Sequence, residues 1–384
     1  MRASLQTPFC RGLGLTAPVV QAPVGSATTP ELAAAVSNAG GLGMLALSWT
    51  PPGSVAERIR ATRALTDQPF GVNLVLEWDQ HERVQACLEE SVAVVSTFWG
   101  DPRPYSDAIH ASGALHLHTV GSAQEALRAV EAGVDVIVAQ GWEAGGRVRG
   151  EVTTLALVPA VVDAVAPVPV LAAGGIGDGR GLAAVLTLGA EAAWVGTRFL
   201  LAEEANVHHQ WRRGIQDARE TSTLYSTLFD RGWPQAPHRT LRNSTVQAWE
   251  RAGRPAAPAR PGEGDAVARA PDGSRLYRYG SEAAVGGASG EVEALALYAG
   301  QSAGVVNEVL PAATIVAQLV SDAATALRQP VPGDEPPAGR SPGAASPDSS
   351  ASRPQGATTS TRRRSTAAPS KTREQPTQTH RSTP

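Results

Sequence analysis

Three apolar runs in this chain break off into glycine, and the residues that follow could hold an anionic ligand and act on it. Residues 134–139 run into Gln140-Gly141-Trp142-Glu143-Ala144-Gly145-Gly146-Arg147, residues 168–173 (ending at Ala173) into Gly174-Gly175-Ile176-Gly177, and residues 192–195 into Gly196-Thr197. Glycine lets a backbone amide come close to a ligand, and bare amides at a helix start attract phosphate. Gly174 and Gly175, the helix dipole after Asp178, and the amides and hydroxyl of Gly196-Thr197 are therefore expected to bind one phosphate-bearing molecule. For any single pair the alternative is a tight strand-to-helix turn. Three such endings in succession favour the ligand.

Other reactive side chains are few. His116 and His118 lie two apart and share one face of a strand, with His118 nearer its C-terminal end. If the alternation from Leu117 holds, His118 points to the site, where it could serve as a base or as a structural hydrogen-bonder. His208 and His209 are adjacent, so they do not share a helix face and make a poor metal pair. Cys10 and Cys87 have neither metal-ligand spacing nor a disulfide pattern and read as reduced thiols. Trp142 could shape a pocket or pack against later residues, and Asn243, Gln301 and Ser302 could reach the site.

The elements that must position these groups alternate. Apolar runs at 18–24, 42–47, 70–76, 92–98, 114–120, 134–140, 168–173 and 192–195 are separated by helical patterns, which predicts a parallel sheet buried on both faces. Thr29-Pro30-Glu31 opens one helix, Ser122 with Glu125 another, and Asp178 a third. Eight strand-helix units predict an α/β fold of the (β/α)8 TIM-barrel type over residues 1–200, with an open doubly wound sheet as the alternative. Residues 201–328 are expected to form a helical cap near the barrel mouth, with helices at 202–218, 222–229, 246–251, 290–297 and 311–328. Residues 329–384 are rich in Pro, Ser, Thr and Arg and predict a disordered tail. There Arg362-Arg363-Arg364 could bind a polyanion or mark phosphorylation at Ser365, or simply be solvated.

A formal net charge of -3 argues against a nucleic-acid partner, and no apolar run reaches the roughly 18 residues of a membrane span. Residues 1–14 lack the apolar length of a signal peptide, so a cytoplasmic address is expected. Pairing of subunits through the stretches from Ala202 and Leu297 is possible on this sequence but nothing in the pattern demands it.

Gln21-Ala22-Pro23, the stretch from Ala33 to Gly43, Phe70-Gly71-Val72-Asn73-Leu74, Glu143-Ala144-Gly145-Gly146, Ala173-Gly174-Gly175-Ile176 and Gly196-Thr197-Arg198-Phe199 together resemble the nitronate monooxygenase family over roughly residues 15–330. The resemblance implies FMN on a (β/α)8 barrel, oxidising an alkyl nitronate or related anion with O2 to a carbonyl compound and nitrite. It further implies that Ala22, Pro23 and Val24 line the flavin ring, that Asn73 and Gln140 hydrogen-bond it, and that Gly145 and Gly146 approach it. Gly174, Gly175, Gly196 and Thr197 would hold its phosphate, with Ala173 a further cofactor-binding residue. One departure stands out. Similar family members carry histidine directly after the paired glycines, where this chain has Arg147. A guanidinium cannot take a proton from a neutral nitroalkane but can hold the two oxygens of a nitronate. Alternatively Arg147 faces solvent or pairs with Glu143 or Glu151. Two rival functions share these motifs: an FMN- and NAD(P)H-dependent enoyl-thioester reductase, and a flavin-binding protein without turnover.

Overall fold

The computed structural model describes residues 5–328. Helix α1 (Pro8–Leu13) precedes strand β1 (Val19–Gln21); then come α2 (Pro30–Asn38), β2 (Gly43–Ala46), α3 (Pro52–Arg63), β3 (Phe70–Val75), α4 (His81–Glu89), β4 (Val94–Phe98), α5 (Arg103–Ala111), β5 (Leu115–Val120), α6 (Ala123–Glu131) and β6 (Val136–Gln140). A two-residue strand β7 (Gly146–Arg147) interrupts the next loop before α7 (Thr154–Val165), β8 (Val170–Ala173), α8 (Gly179–Thr187) and β9 (Ala192–Val195). All eight predicted strands form, and they pair in parallel in the order β1-β9-β8-β6-β5-β4-β3-β2. The ring closes between its ends, where Leu42 N–H donates to Val19 O at 2.9 Å and Gln21 N–H to Leu42 O at 3.0 Å. The sheet is therefore a barrel and not the open alternative.

Strand alternation sorts the core into two layers. Val20, Leu42, Met44, Val94, Leu117, Val138, Leu171 and Trp194 fill the barrel interior, while Leu45, Val72, Leu74 and Val95 pack outward on the helices. Gly71 is needed for the inner layer, because a Cβ there would lie 2.6 Å from Met44 Sδ. The helix starts follow the expected caps. Thr29 accepts from Leu32 N–H at 3.0 Å, Ser122 from Glu125 N–H at 3.2 Å, and Asp178 from Arg180 and Gly181 N–H at 3.0 and 3.2 Å.

Beyond β9 the expected run of helices forms at 246–251 and 311–328 and is corrected in the other three stretches. In residues 202–218 the helix is confined to α9 (His209–Gln216), and residues 290–297 form a strand end at Gly290 and a short 3-10 turn at Val292–Ala294 in place of a helix. The stretch 222–229 is a strand, β10 (Thr223–Ser226), paired antiparallel with β11 (His238–Leu241), which in turn pairs with β7. Thr223 and Tyr225 favour a strand, and the partner that decides it, β11, is itself held by β7 in the barrel loop. After α10 (Ser244–Arg251), β12 (Ala266–Arg269), β13 (Arg275–Tyr277) and β14 (Ser289–Gly290) make a second small sheet. The chain then returns with α11 (Ala312–Ala326), which packs between α8 and α2 as the eighth helix of the outer ring. The ring is thus completed from beyond residue 200, and the described residues all belong to one compact unit. Among them no helix is long and apolar enough to cross a membrane. The tail expected at 329–384, with Arg362-Arg363-Arg364 and Ser365, lies outside the described residues.

Candidate active site

Every glycine-rich ending lies at the C-terminal rim of the barrel, as strand direction requires. After β8, Gly174 and Gly175 have φ of 101° and 73°, a left-handed backbone that glycine adopts freely. After β9, Gly196 leads into the buried Thr197. None of the backbone N–H groups of Gly174, Gly175, Gly196 and Thr197 has a hydrogen-bond acceptor among the described residues. Four unspent donors at the ends of two neighbouring strands, one of them on a buried residue, are what a phosphate would satisfy. A Cβ on Gly196 would touch only the Cβ of Ala22, at 3.5 Å, and one on Gly175 would come no nearer than 3.7 Å to Glu143, so both glycines border open space. The α8 dipole is already engaged by its Asp178 cap, so the loop amides are the available donors.

Ala22, Pro23 and Val24, just past β1, are half-buried on the same rim. Asn73 points inward from β3, its Nδ2 3.3 Å from Ser96 Oγ, and Gln140 Nε2 donates to Arg147 O at 3.1 Å. The side-chain carbonyl oxygens of both have no donor among the described residues, so each can accept from a ring N–H. The two loop glycines part company. Gly146, with φ of 75°, would carry a Cβ into open space, whereas a Cβ on Gly145 would lie 2.4 Å from Gly300 N. Gly145 is thus a backbone-to-backbone contact that seats the loop on residues 299–300.

Arg147 neither faces solvent nor pairs with Glu143 or Glu151. Its Nη1 donates to Ala236 O at 2.7 Å and its Nη2 lies 3.4 Å from Phe229 O. The guanidinium carbon stands 4.7 Å from the Trp233 ring centroid. Burial pulls its pKa below the ordinary guanidinium value. Glu143 accepts instead from Thr154 N–H at 2.9 Å and Thr154 Oγ1 at 3.1 Å, at the start of α7. Sequence reasoning missed His238, opposite Arg147 in the β7–β11 pair. Its Nε2 accepts from Phe229 N–H at 3.1 Å, so the proton sits on Nδ1, 2.9 Å from Ala236 O, and Arg147 Nη1, also 2.9 Å from that nitrogen, donates to Ala236 O and not to the ring. Burial and the nearby Arg147 push its pKa down to about 3, which keeps it neutral. Arg239 is also fully engaged. It donates to Trp142 O at 2.8 Å and lies 4.3 Å from the Trp142 ring, which packs on Tyr225.

The orientation expected of His118 is corrected. Leu117 belongs to the barrel interior, so both histidines of β5 face outward into the strand-helix layer. Thr97 Oγ1 bridges them, 2.9 Å from His116 Nε2 and 2.8 Å from His118 Nδ1. Burial drives the pKa of His116 to about 3 and of His118 to about 4. Together with His238 they predict acid lability. Each folded pKa lies below the unfolded value of about 6.5, so their contribution is complete above that pH and is lost as pH falls toward 4 and then 3. The melting temperature is expected to hold from pH 8 to 7 and to drop steadily from about 6.5 to 4. A flat profile over that lower range would contradict these burial states. Asn243 caps α10, accepting from Val246 N–H at 3.0 Å, and does not reach the mouth. Among the described residues no cluster of His, Cys, Asp or Glu could hold a metal ion.

A tryptophan rim, not foreseen as a feature, lines the β2–β4 side of the mouth. Trp49, Trp78 and Trp99 follow β2, β3 and β4, and Trp233 joins them from the later segment, with ring centroids 4.9 Å (Trp78–Trp233), 5.1 Å (Trp99–Trp233) and 5.9 Å (Trp49–Trp78) apart.

Comparison with known proteins bears on what such a mouth serves. The sequence model of the family described as nitronate monooxygenase matches residues 8–82 and 76–322. The chain belongs to the nitronate monooxygenase family. It is 34% identical over 367 residues to the nitronate monooxygenase of Pseudomonas aeruginosa PAO1, covering 82% of this chain and 98% of the relative. It is also 37% identical over 257 residues to a Rhodococcus jostii protein named (3aS,4S,5R,7aS)-5-hydroxy-7a-methyl-1-oxo-octahydro-1H-indene-4-carboxyl-CoA dehydrogenase, covering 65% of this chain and 70% of the relative. Among solved structures, FabK from Thermotoga maritima superposes with a TM-score of 0.69 at 30% identity, over 83% of this chain and 96% of that one. Nitroalkane oxidase from Streptomyces ansochromogenes does so with 0.66 at 28% identity, over 81% and 97%. As a nitronate monooxygenase family member, the chain is a flavin-dependent oxidoreductase.

Proposed function

We propose that this enzyme uses FMN to oxidise alkyl nitronates, or a closely related anion, with O2 to a carbonyl compound and nitrite. The observation that carries this reading is that the charged group at the mouth is a guanidinium with no free base beside it. His118 faces outward, His238 is neutral with both ring nitrogens engaged, and Glu143 is spent on the start of α7. A nitronate has already lost its proton, so a site without a base suffices, and a cation is the partner it needs.

The residues present fit a flavin mononucleotide. The unspent amides of Gly174, Gly175, Gly196 and Thr197 would hold its phosphate after Ala173 ends β8. Ala22, Pro23 and Val24 would wall the ring, the oxygens of Asn73 and Gln140 would accept from it, and Gly146 would leave it room. When bound, the flavin supplies the redox chemistry, taking electrons from the substrate and returning them to O2. Arg147 orients the two nitronate oxygens through the N–H groups that it does not give to Ala236 and Phe229, and Trp233 behind it excludes water.

The test is anaerobic. Mixed with the flavin-loaded enzyme, propyl-2-nitronate is expected to bleach the flavin at least about tenfold faster than 2-nitropropane, since general-base help is typically worth 10²–10⁴. Equal rates would overturn the reading. A second reading, oxidoreduction of an acyl thioester with a nicotinamide donor, is favoured by the 37% identity to the carboxyl-CoA dehydrogenase. It replaces the first if NADH or NADPH bleaches the flavin and nitronate does not. Reduction by none of these would leave a flavin-binding protein without turnover.

A further inference from the structure

We infer that the preferred substrate carries a ring or similarly bulky apolar body, received by the tryptophan rim while its anionic end is held at Arg147. This rests on the reading that the turned-over group is an anion at Arg147. Four of the eight tryptophans of the chain meet at this rim. Two of them are left in solvent, Trp49 at 56% and Trp78 at 38% exposure, which a soluble surface tolerates poorly without a purpose. Trp99 is held at φ of 65°, a conformation costly for a non-glycine residue and kept by its surroundings.

The rim is continuous with the anion site. Trp233 touches the Arg147 guanidinium at 4.7 Å on one side and stands 4.9 Å from Trp78 and 6.3 Å from Trp49 on the other. Trp49 also borders a cleft of about 490 Å³ that runs away from Arg147 toward Ser26, Glu57 and Arg58, so the rim's own contribution to the anion site is the run Trp233, Trp78 and Trp49. A flat or alicyclic body resting edge-on against Trp78 and Trp49 would cover rings that are now wet, with its charged end toward Arg147. A small nitronate would meet the cation and leave the rim uncovered.

Two measurements decide this. With the flavin-loaded enzyme, kcat/KM for phenylnitromethane nitronate should exceed that for propyl-2-nitronate. The ratio should fall about tenfold or more in the Trp49→Ala/Trp78→Ala double variant and be largely kept in Trp49→Phe, the scale set by hydrophobic-pocket discrimination. An unchanged ratio in the double variant, or a wild-type preference for the smaller substrate, overturns the inference. Calorimetry with two non-reacting anions separates this from the reaction class. Phenylacetate should bind at least about tenfold tighter than acetate, and the double variant should lose that margin. If no nitronate reduces the flavin yet the margin is present, the rim stands and the reaction assignment falls. Equal binding of the two anions removes the rim whatever the reaction.

Discussion

Replacing Gly196 by aspartate is expected to strip the enzyme of its flavin. The φ at Gly196 is -104°, which any residue adopts, and a Cβ there would meet only Ala22 Cβ at 3.5 Å. The side chain can therefore be built without disturbing β9 or the turn after it. What it adds is a carboxylate beside the amides of Gly174, Gly175, Gly196 and Thr197, where a dianionic phosphate is proposed to bind. Two unit charges about 4 Å apart repel by roughly 4 kcal/mol at an effective dielectric of 20. Since each 1.4 kcal/mol is a factor of ten, FMN affinity should fall by at least about 100-fold. Gly196→Ala, which adds bulk without charge, should cost much less. Gly175 is the poorer place for the experiment, because at φ of 73° any side chain strains the backbone and confuses folding with binding. The measurement is flavin absorbance after gel filtration, with the melting temperature of the flavin-free proteins as the control for folding. A Gly196→Asp protein that remains yellow at the wild-type dissociation constant would place the phosphate elsewhere.

Why the barrel could be read from the sequence and the site only in part follows from range. Each barrel strand is a local apolar run, and each cap is set by residues three apart, as with Thr29 and Leu32 or Ser122 and Glu125. Such signals survive in a single sequence. His118 failed by one step of alternation. Periodicity fixes which residues share a face with His118, but not whether that face looks into the barrel or toward the helices. Thr223–Ser226 failed because its partner strand His238–Leu241 is held in turn by Gly146–Arg147, and that triple pairing is invisible to local pattern. The same distance hid the surroundings of Arg147. Its departure from the family was legible, but Ala236 and His238 lie about 90 positions away and close on it only through the small sheet. The tryptophan rim left a trace that could have been found: three successive strands, β2, β3 and β4, are each followed within three residues by tryptophan.

Arg147 is where that long-range assembly is proposed to meet the chemistry, and its replacement separates the proposals. Arg147→Gln should lower kcat/KM for nitronate by about 10- to 100-fold, the worth of a hydrogen bond to a charged group at 1.5–3 kcal/mol. Arg147→Lys keeps the charge but loses the planar fork and should fall between the two. Both variants give up donors to Ala236 O and Phe229 O, so some loss of melting temperature is expected alongside. The pH profile distinguishes catalysis from stability. In the native enzyme kcat/KM for nitronate should be flat from about pH 6 to 9, because Arg147 stays charged while His118 and His238 titrate at about 4 and 3. Arg147→His introduces an imidazole that titrates in that window, so a pH-dependent limb should appear. Once neutral, that imidazole can accept a proton, so turnover of the parent nitroalkane should rise relative to nitronate in this variant alone. If Arg147→His gains neither the limb nor the nitroalkane, then position 147 does not touch the reacting atoms. The guanidinium would then be a brace between β7 and the loop at Ala236, and the cation for the substrate would have to be sought elsewhere on the rim.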